Sequence, residues 1–360
     1  NRDMQMIKRL QLIKLVLLSS LFLVGTNVVQ AQVKDQIYLI SNPNDSVTGL
    51  IDSITKNAVT VRVNGVPRKL AANDVSRIQF VDSPTEVLQA AAMFRKGQLK
   101  DARAELAKVN LDGIQNPFVK QDVAYMLAAV DARSALAGDG DKNQAGSLLV
   151  TFLNQYADSY HYYEIVELFG DLAYAVGSFD KAAEQYTILT TSPWEDLKIK
   201  GTLRLANSTV GKGDYAAALL MFEKVAAVPA TTPLMQLTVS EAKAGQARCL
   251  GETGKAAAGI ALTDKLIKDN DPKTQKQLFA QAYNAQGVCY RSNKQPKDAI
   301  LAFLHTHLIF NESADAHAES LYHLSQLWSE VSKADRAQDS KRLLREKYAG
   351  TFWEQKSRAE

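Results

Sequence analysis

The chain is short of the residues that staple small folds or hold metals: two cysteines and five histidines in 360 residues. Cys249 and Cys289 are too few for a disulfide scaffold, and a chain of this length buries enough core not to need one. His305-Thr306-His307 is the one close histidine pair, and residues two apart on a helix point in different directions, so they cannot chelate an ion as an i, i+4 pair does. His317 and His323 are six apart, and His161 stands among tyrosines without a ligand partner at useful spacing. Solvated or core-satisfied roles are expected for all of them. There is also no Gly-rich phosphate loop, no recognisable Ser-His-Asp arrangement and no HExxH. No catalytic residue, cofactor or metal site is expected, and the chain is read as a non-enzyme.

An excess of one charge is lacking too. The formal net charge is +3, but Arg2, Lys8, Arg9 and Lys14 all lie in residues 1–31 with only Asp3 against them, so the remainder is balanced. A neutral chain lacks the electrostatic attraction that dominates binding to phosphate backbones, which excludes nucleic acid as the expected partner. The same N-terminal cations precede an apolar run, Leu15 to Val24, and then Val29-Gln30-Ala31. Positive flank, apolar run and small residues at −3 and −1 describe a secretory signal peptide starting at Met4 or Met6 and cleaved after Ala31. The alternative is an uncleaved anchor, the one route to membrane association, although the run is short of the roughly 20 residues a bilayer span needs. No Cys follows it, against a lipid-anchored form.

Residues 32–82 read as a small β module. Ile37 to Ile40, Gly49 to Ile54, Ala58 to Val63, Arg68 to Leu70 and Val75 to Phe80 are short strand candidates. Val59, Val61 and Val63 alternate with Thr60 and Arg62, the period of a half-buried strand. Asn64-Gly65 between apolar runs is a hairpin signal, because both central residues need positive φ. Five strands in so short a segment imply a small barrel or curled sheet, and Gly49-Leu50-Ile51, the Asn-Gly turn and Asp74-Val75-Ser76-Arg77-Ile78 are similar to SH3-like or Sm-like barrels.

From Ser83 the pattern turns helical. Ser83-Pro84-Thr85-Glu86 carries a cap, a first-turn proline and a glutamate three residues on. Small residues then recur as Ala102, Ala145, Ala182, Ala218, Gly259, Ala299 and Ala337, 36 to 43 residues apart. Five residues before them stand Gly97, Gly140, Gly177, Gly213 and Gly254, replaced by Lys294 and Ser332 in the last two repeats. Twelve residues before them a second small column reads Ala90, Gly170, Ala206, Ala247, Gly287 and Ser325, broken by Arg133. Paired small positions mark close helix–helix contact. Leu106, Leu149, Tyr186, Phe222 and Phe303, four residues beyond the first column, supply knobs, while Thr263 and Lys341 do not. Cys249 and Cys289 hold equivalent places in successive repeats, about 10 Å apart as neighbouring helices; a disulfide needs Cα atoms within about 7 Å, so two buried free thiols are expected.

Leu168-Phe169-Gly170-Asp171-Leu172-Ala173-Tyr174 with Gly177 to Tyr186, and Leu203-Arg204-Leu205-Ala206 with Gly213 to Ala218 and Phe222, resemble the tetratricopeptide repeat family over residues 83–356. The resemblance implies a right-handed α-α superhelical solenoid of about seven helix pairs. The intervals exceed the family's usual length of about 34, which implies extended helices or inter-repeat loops. Tyr156-Ala157-Asp158-Ser159-Tyr160, echoed at Tyr348-Ala349-Gly350-Thr351-Phe352, is similar to joints in bacterial envelope repeat proteins. With the signal segment it implies a periplasmic or secreted protein, and the sequons at Asn44, Asn207 and Asn311 are then chance composition.

The family resemblance also implies where a partner protein would bind: a stripe on the first helices, which line the concave face. That stripe holds Glu164, Glu167, Asp171 and Tyr174, then Lys200, Leu203 and Asn207, then Glu241, Ala244 and Arg248, then Asn284, Arg291, Tyr322 and Gln326. It reads as acidic at one end and mixed beyond, fit for an extended segment or helix. The expected function is a non-catalytic adaptor of the bacterial envelope. The alternative is a structural envelope-assembly or cell-wall component whose β module oligomerises or binds a glycan. In either case the β module can cap the first repeat.

Overall fold

The computed structural model describes residues 34–359, so the signal-segment reading lies outside the described residues. Five strands come first: β1 (Asp35–Leu39), β2 (Ser46–Ile54), β3 (Ala58–Val63), β4 (Val66–Ala71) and β5 (Val75–Gln79). They form one antiparallel sheet in the order β4-β3-β2-β1-β5. The sheet is not closed: β4 and β5 remain its two edges. Asn64 and Gly65 both take positive φ, 49° and 85°, in the β3–β4 turn that the dipeptide predicts. The alternation of β3 also holds, with Val59 and Val61 fully buried.

Fifteen helices follow among the described residues: α1 (Thr85–Arg95), α2 (Leu99–Leu106), α3 (Pro117–Leu136), α4 (Lys142–Gln155), α5 (Tyr162–Ala175), α6 (Phe179–Thr190), α7 (Glu195–Gly211), α8 (Tyr215–Ala226), α9 (Pro233–Glu252), α10 (Ala256–Asp269), α11 (Lys276–Ser292), α12 (Pro296–Leu308), α13 (Ala314–Glu330), α14 (Ala334–Lys347) and α15 (Phe352–Ala359). The expected start is corrected: α1 opens at Thr85 with Pro84 at the cap, because the Ser83 N–H closes a turn onto Phe80 O at 3.2 Å and its side chain caps nothing. Later starts use side-chain caps, Asn116 before Pro117, Asp141, Asp214, Thr232 before Pro233, and Ser313. The long repeat intervals come from long first helices, 20 residues in α3 and α9, and from a connector after α2 that makes its own 3₁₀ turn at Leu111–Gly113.

Both small-residue columns are packed shut. Ala102, Ala145, Ala182, Ala218 and Ala299 are fully buried, as are Ala90, Ala206, Ala247 and Ser325. Tyr186 sits on Gly170 and Phe303 on Gly287 so tightly that an added Cβ would meet their rings at 2.5 and 2.6 Å. Large knobs on bare backbone are what close helix packing requires. Gly97, Gly177, Gly213 and Gly254 leave their helices with positive φ, and Lys294 and Ser332 adopt the same conformation at 60° and 58°. In the second repeat the position belongs to Gly138 (φ 94°), not Gly140, so that turn is two residues longer, and counting back from Ala145 lands on Arg133. Thr263, off-pattern as a knob, is fully buried nonetheless and turns its hydroxyl onto its own helix at Ile260 O.

Consecutive helices pack antiparallel as hairpins, and α3 with α5, α7 with α9, α9 with α11 and α11 with α13 also touch, which makes an inner layer. The sheet joins this stack: Ile37, Val59, Leu70 and Ile78 share one apolar core with Val87, Phe94 and Val123. No helix of the described residues is long and apolar enough to cross a membrane. Cys249 and Cys289 are buried free thiols, as the repeat register predicts.

Candidate partner-binding site

The inner helices carry polar residues where a core would be apolar, and the curvature of the stack decides what those residues face. The stack curls until its end meets α4 and α6. Phe352 of α15 packs edge-on against Phe179 of α6 with ring centroids 4.9 Å apart, and Lys142 Nζ donates to Ala349 O at 3.4 Å. The inner layer therefore surrounds an axial cavity of about 330 Å³. Asp171 and Tyr174 reach it from α5, Arg204 and Asn207 from α7, Glu241 and Arg248 from α9, Gln277 and Gln281 from α11, and Asp315 and Glu319 from α13.

Charge pairs tie these helices across the axis. Lys200 Nζ donates to Glu167 Oε2 at 2.6 Å, and Arg204 Nη2 lies 3.5 Å from Glu167 Oε1. Burial pushes the Glu167 carboxyl up, but Lys200 and Arg204 outweigh it and hold it below the usual carboxylate range. Asp171 accepts from Tyr186 OH at 2.7 Å; burial raises its carboxyl, against the pull of Arg204. Arg248 pairs with Glu319 across 71 residues of sequence. Burial alone would raise Glu319, yet Arg248, with His323 and the Asn284 amide, brings it down to about 2. Asp315 is water-accessible inside this enclosure and accepts from Trp353 Nε1 at 3.2 Å; the surrounding protein, then Glu319, push it up to about 7. Glu241 is likewise raised by burial. Among residues lining the cavity, Arg204 Nε, Arg248 Nε and Gln281 Oε1 are sealed from it and have no hydrogen-bond partner, although Arg204 Nε lies 3.9 Å from Asp171 Oδ1.

A second opening, a cleft of about 520 Å³, lies where the sheet leans on the stack. The β2–β3 turn is tied to the stack, Lys56 N donating to Asp158 Oδ1 at 3.0 Å and Lys56 Nζ lying 5.0 Å from the Tyr162 ring. Beneath it His161 stacks on Tyr125 at 3.4 Å and hydrogen-bonds Asp122 through Nε2 at 2.8 Å, the satisfied core role expected of it.

Of the stripe residues, Asp171, Tyr174, Asn207 and Arg248 meet at the axial cavity, and Glu164, Glu167, Asp171 and Lys200 line the cleft. Asn284 and Tyr322 do not present a surface: both are buried, Asn284 donating to Ala316 O at 2.8 Å and Tyr322 covered by Trp353 at 5.4 Å. Arg291 faces Glu252 and the His323 ring, and Gln326 is half-buried away from both openings. The acidic end expected near the third repeat is neutralised from within, since Glu164 pairs with Arg133 at 2.6 Å and Glu167 with Lys200. Sequence reasoning missed Arg204, Asp315, Glu319 and Trp353. Glu319 stands six before Ser325, as Glu164, Lys200 and Glu241 stand six before Gly170, Ala206 and Ala247, and was findable by that spacing; Arg204, two before Ala206, was not. His307 bonds His317 rather than pairing with His305, Nδ1 to Nε2 at 2.7 Å, and no group of three or more metal-binding side chains occurs among the described residues.

The sequence matches no protein-family model and no curated protein. Solved structures do match. A tetratricopeptide repeat protein from Parabacteroides merdae superposes with a TM-score of 0.51 at 16% identity, over 73% of this chain and 91% of that one. A Rap protein complexed with competence and sporulation factor covers 75% and 77% at 14% identity and a TM-score of 0.49. PilW, a type IV pilus biogenesis factor, covers 66% and 97% at 17% and 0.40. The first of these shows the fold alone, a tetratricopeptide-type helical repeat; the other two are too distant to add to it.

Proposed function

We propose that the chain is a non-catalytic adaptor that holds a segment of a partner protein on the inner face of its helical stack. The observation that carries this is the axial cavity: three successive first helices line it with charged and amide side chains, Arg204 and Asn207, Glu241 and Arg248, and Gln277 and Gln281, where packing between helices alone would call for apolar ones. A polypeptide supplies both the carbonyls and the N–H groups that such side chains pair with. The stack is read as seven tetratricopeptide-like pairs in a right-handed superhelix with α15 as an added cap. The sheet is read as an SH3-like module. The signal-peptide pattern of residues 1–31 supports work in the bacterial envelope, periplasmic or secreted.

The test is site-specific photo-crosslinking in an envelope fraction. A crosslinker at Asn207, on the cavity, should capture a partner that one at Leu220, exposed on the outer helix α8, does not. Capture from Leu220 alone would remove the inner-face reading.

A further inference from the structure

The cleft between sheet and stack differs from the axial cavity in the state of its cations. Four basic side chains line it: Arg77, Arg95, Arg133 and Lys200. Arg133 is paired with Glu164 and lies 4.4 Å from the Phe94 ring centroid, and Lys200 is paired with Glu167. Arg77 and Arg95 form no ion pair and no side-chain hydrogen bond among the described residues; Arg77 rests its guanidinium on Tyr38, 3.4 Å from the ring centroid. The cleft's carboxylates are turned to other donors. Asp122 serves Tyr160 and His161, Glu164 serves Tyr125 and Arg133, Asp171 serves Tyr186, and Asp196 faces Asn73 at 3.5 Å. Arg95 feels the like charge of Arg77 after the effect of burial, and both lower its affinity for a proton. Both guanidinium groups thus line the same cleft without a carboxylate partner of their own.

The neighbourhood says what kind of anion fits. β5 ends the sheet, and its residues Val75, Ser76, Arg77 and Ile78 line the cleft, so an open strand edge runs along it. Phe94, Met126, Tyr163 and Trp194 form an apolar wall, and Ile40 and Leu234 stand 63% and 47% exposed at the rim. A polyanion such as nucleic acid would meet five carboxylates here, whereas a segment with a single carboxylate needs only the two arginines for its charge and lays apolar side chains on the wall. We infer that this cleft binds an extended acidic segment of a partner protein, which adds alongside β5, sets an Asp or Glu carboxylate between Arg77 and Arg95, and lays a neighbouring aliphatic or aromatic residue on the apolar wall. Strand addition supplies affinity through main-chain bonds and leaves specificity to the side chains on either side, and guanidinium forks suit carboxylates bidentately. The two openings share Asp171 in their walls, but Arg77 and Arg95 line the cleft alone, so this assignment does not depend on what the axial cavity holds.

A random heptapeptide display library, selected on the full chain, tests it. The expected yield is enrichment of peptides with one Asp or Glu beside an aliphatic or aromatic residue. The acid should be worth about tenfold or more in affinity over its amide isostere, the scale of one charged hydrogen bond. That preference should vanish on Arg77→Gln/Arg95→Gln and invert towards Lys or Arg on Arg77→Glu/Arg95→Glu, a gain that a misfolded variant cannot give. It should persist on Asn207→Ala, which alters the axial cavity alone, so that failure of one site is told from failure of the other. No acidic enrichment, an enrichment unchanged by the arginine variants, or equal displacement of the peptides by millimolar inorganic phosphate would each overturn the assignment.

Discussion

Replacing Gly287 by alanine sets two known effects against each other, and the structure says which wins. Gly→Ala within a helix stabilises by about 1 kcal/mol when the new methyl has room. At Gly287 it has none, since the Cβ would stand 2.6 Å from Phe303 Cε2 and 2.7 Å from Cζ. Phe303 is fully buried with Val288, Ala299, Ile300, Leu324 and Leu327 around it, so the ring cannot withdraw without displacing a packed neighbour. Overpacking of this kind costs about 1–3 kcal/mol. An enclosed ring belongs in the upper half of that range, which leaves Gly287→Ala destabilised by about 1–2 kcal/mol. At Gly146 on α4 an added Cβ would meet nothing within 4 Å, so Gly146→Ala should stabilise by about 1 kcal/mol. Urea denaturation followed by far-UV circular dichroism measures both, provided the slopes match wild type, because a repeat array can lose cooperativity. Phe303→Leu added to Gly287→Ala should recover stability, with a coupling of about 0.5 kcal/mol or more. If Gly287→Ala stabilises as Gly146→Ala does, the small columns are not closing helix pairs and the packing argument fails.

Removing Arg248 as Arg248→Met leaves Glu319 buried without its cation and should cost about 3–5 kcal/mol, while Glu319→Leu in the same background should return much of it. Burial, then neighbouring positive groups, depress the His317 imidazole to about 4. His323 falls to about 4 as well, by burial against the raising contact of Glu319 and with the Arg291 charge adding to the fall. The unfolded chain takes up these protons first, so stability is full above about pH 6.5 and falls as pH drops towards 4; a His323→Phe variant should show a shallower fall in denaturation series at stepped pH. Asp315 carries the opposite sign, its carboxyl raised to about 7, so Asp315→Asn should gain more stability at pH 8 than at pH 5. Burial pushes both cysteine thiols up to about 12, so a thiol-reactive dye should label native protein far more slowly than urea-unfolded protein, and oxidation should produce no intrachain bridge.

What was legible in the sequence is what local spacing controls. The small columns, their knobs and the Asn-Gly turn follow from contacts between neighbours in sequence or between adjacent repeats, and a fixed period exposes them. Lys294 and Ser332 show the limit of residue type as a guide: the turn after each first helix demands a left-handed residue whatever side chain stands there. The site was half legible. Asp171, Asn207 and Arg248 reach the axial cavity because a helix stripe is a local property. Their partners come from elsewhere around the ring, Glu319 to Arg248 and Trp353 to Asp315, and the closure that brings them depends on small rotations summed over every repeat. No local pattern records that sum, which is why Asn284 and Tyr322 read as surface and are buried.

If the inner face holds a partner segment as proposed, closure narrows what that segment can be. An open concave surface accepts an extended segment or a helix equally, and the stripe alone favours neither. A helix with its side chains is about 10–12 Å across and needs an opening of that width along the axis, around which Phe352 meets Phe179 and Arg248 meets Glu319. Admitting one would mean parting Phe352 from Phe179 and Arg248 from Glu319, that is, opening an aromatic contact and a buried ion pair together. An extended chain or a single long side chain needs neither.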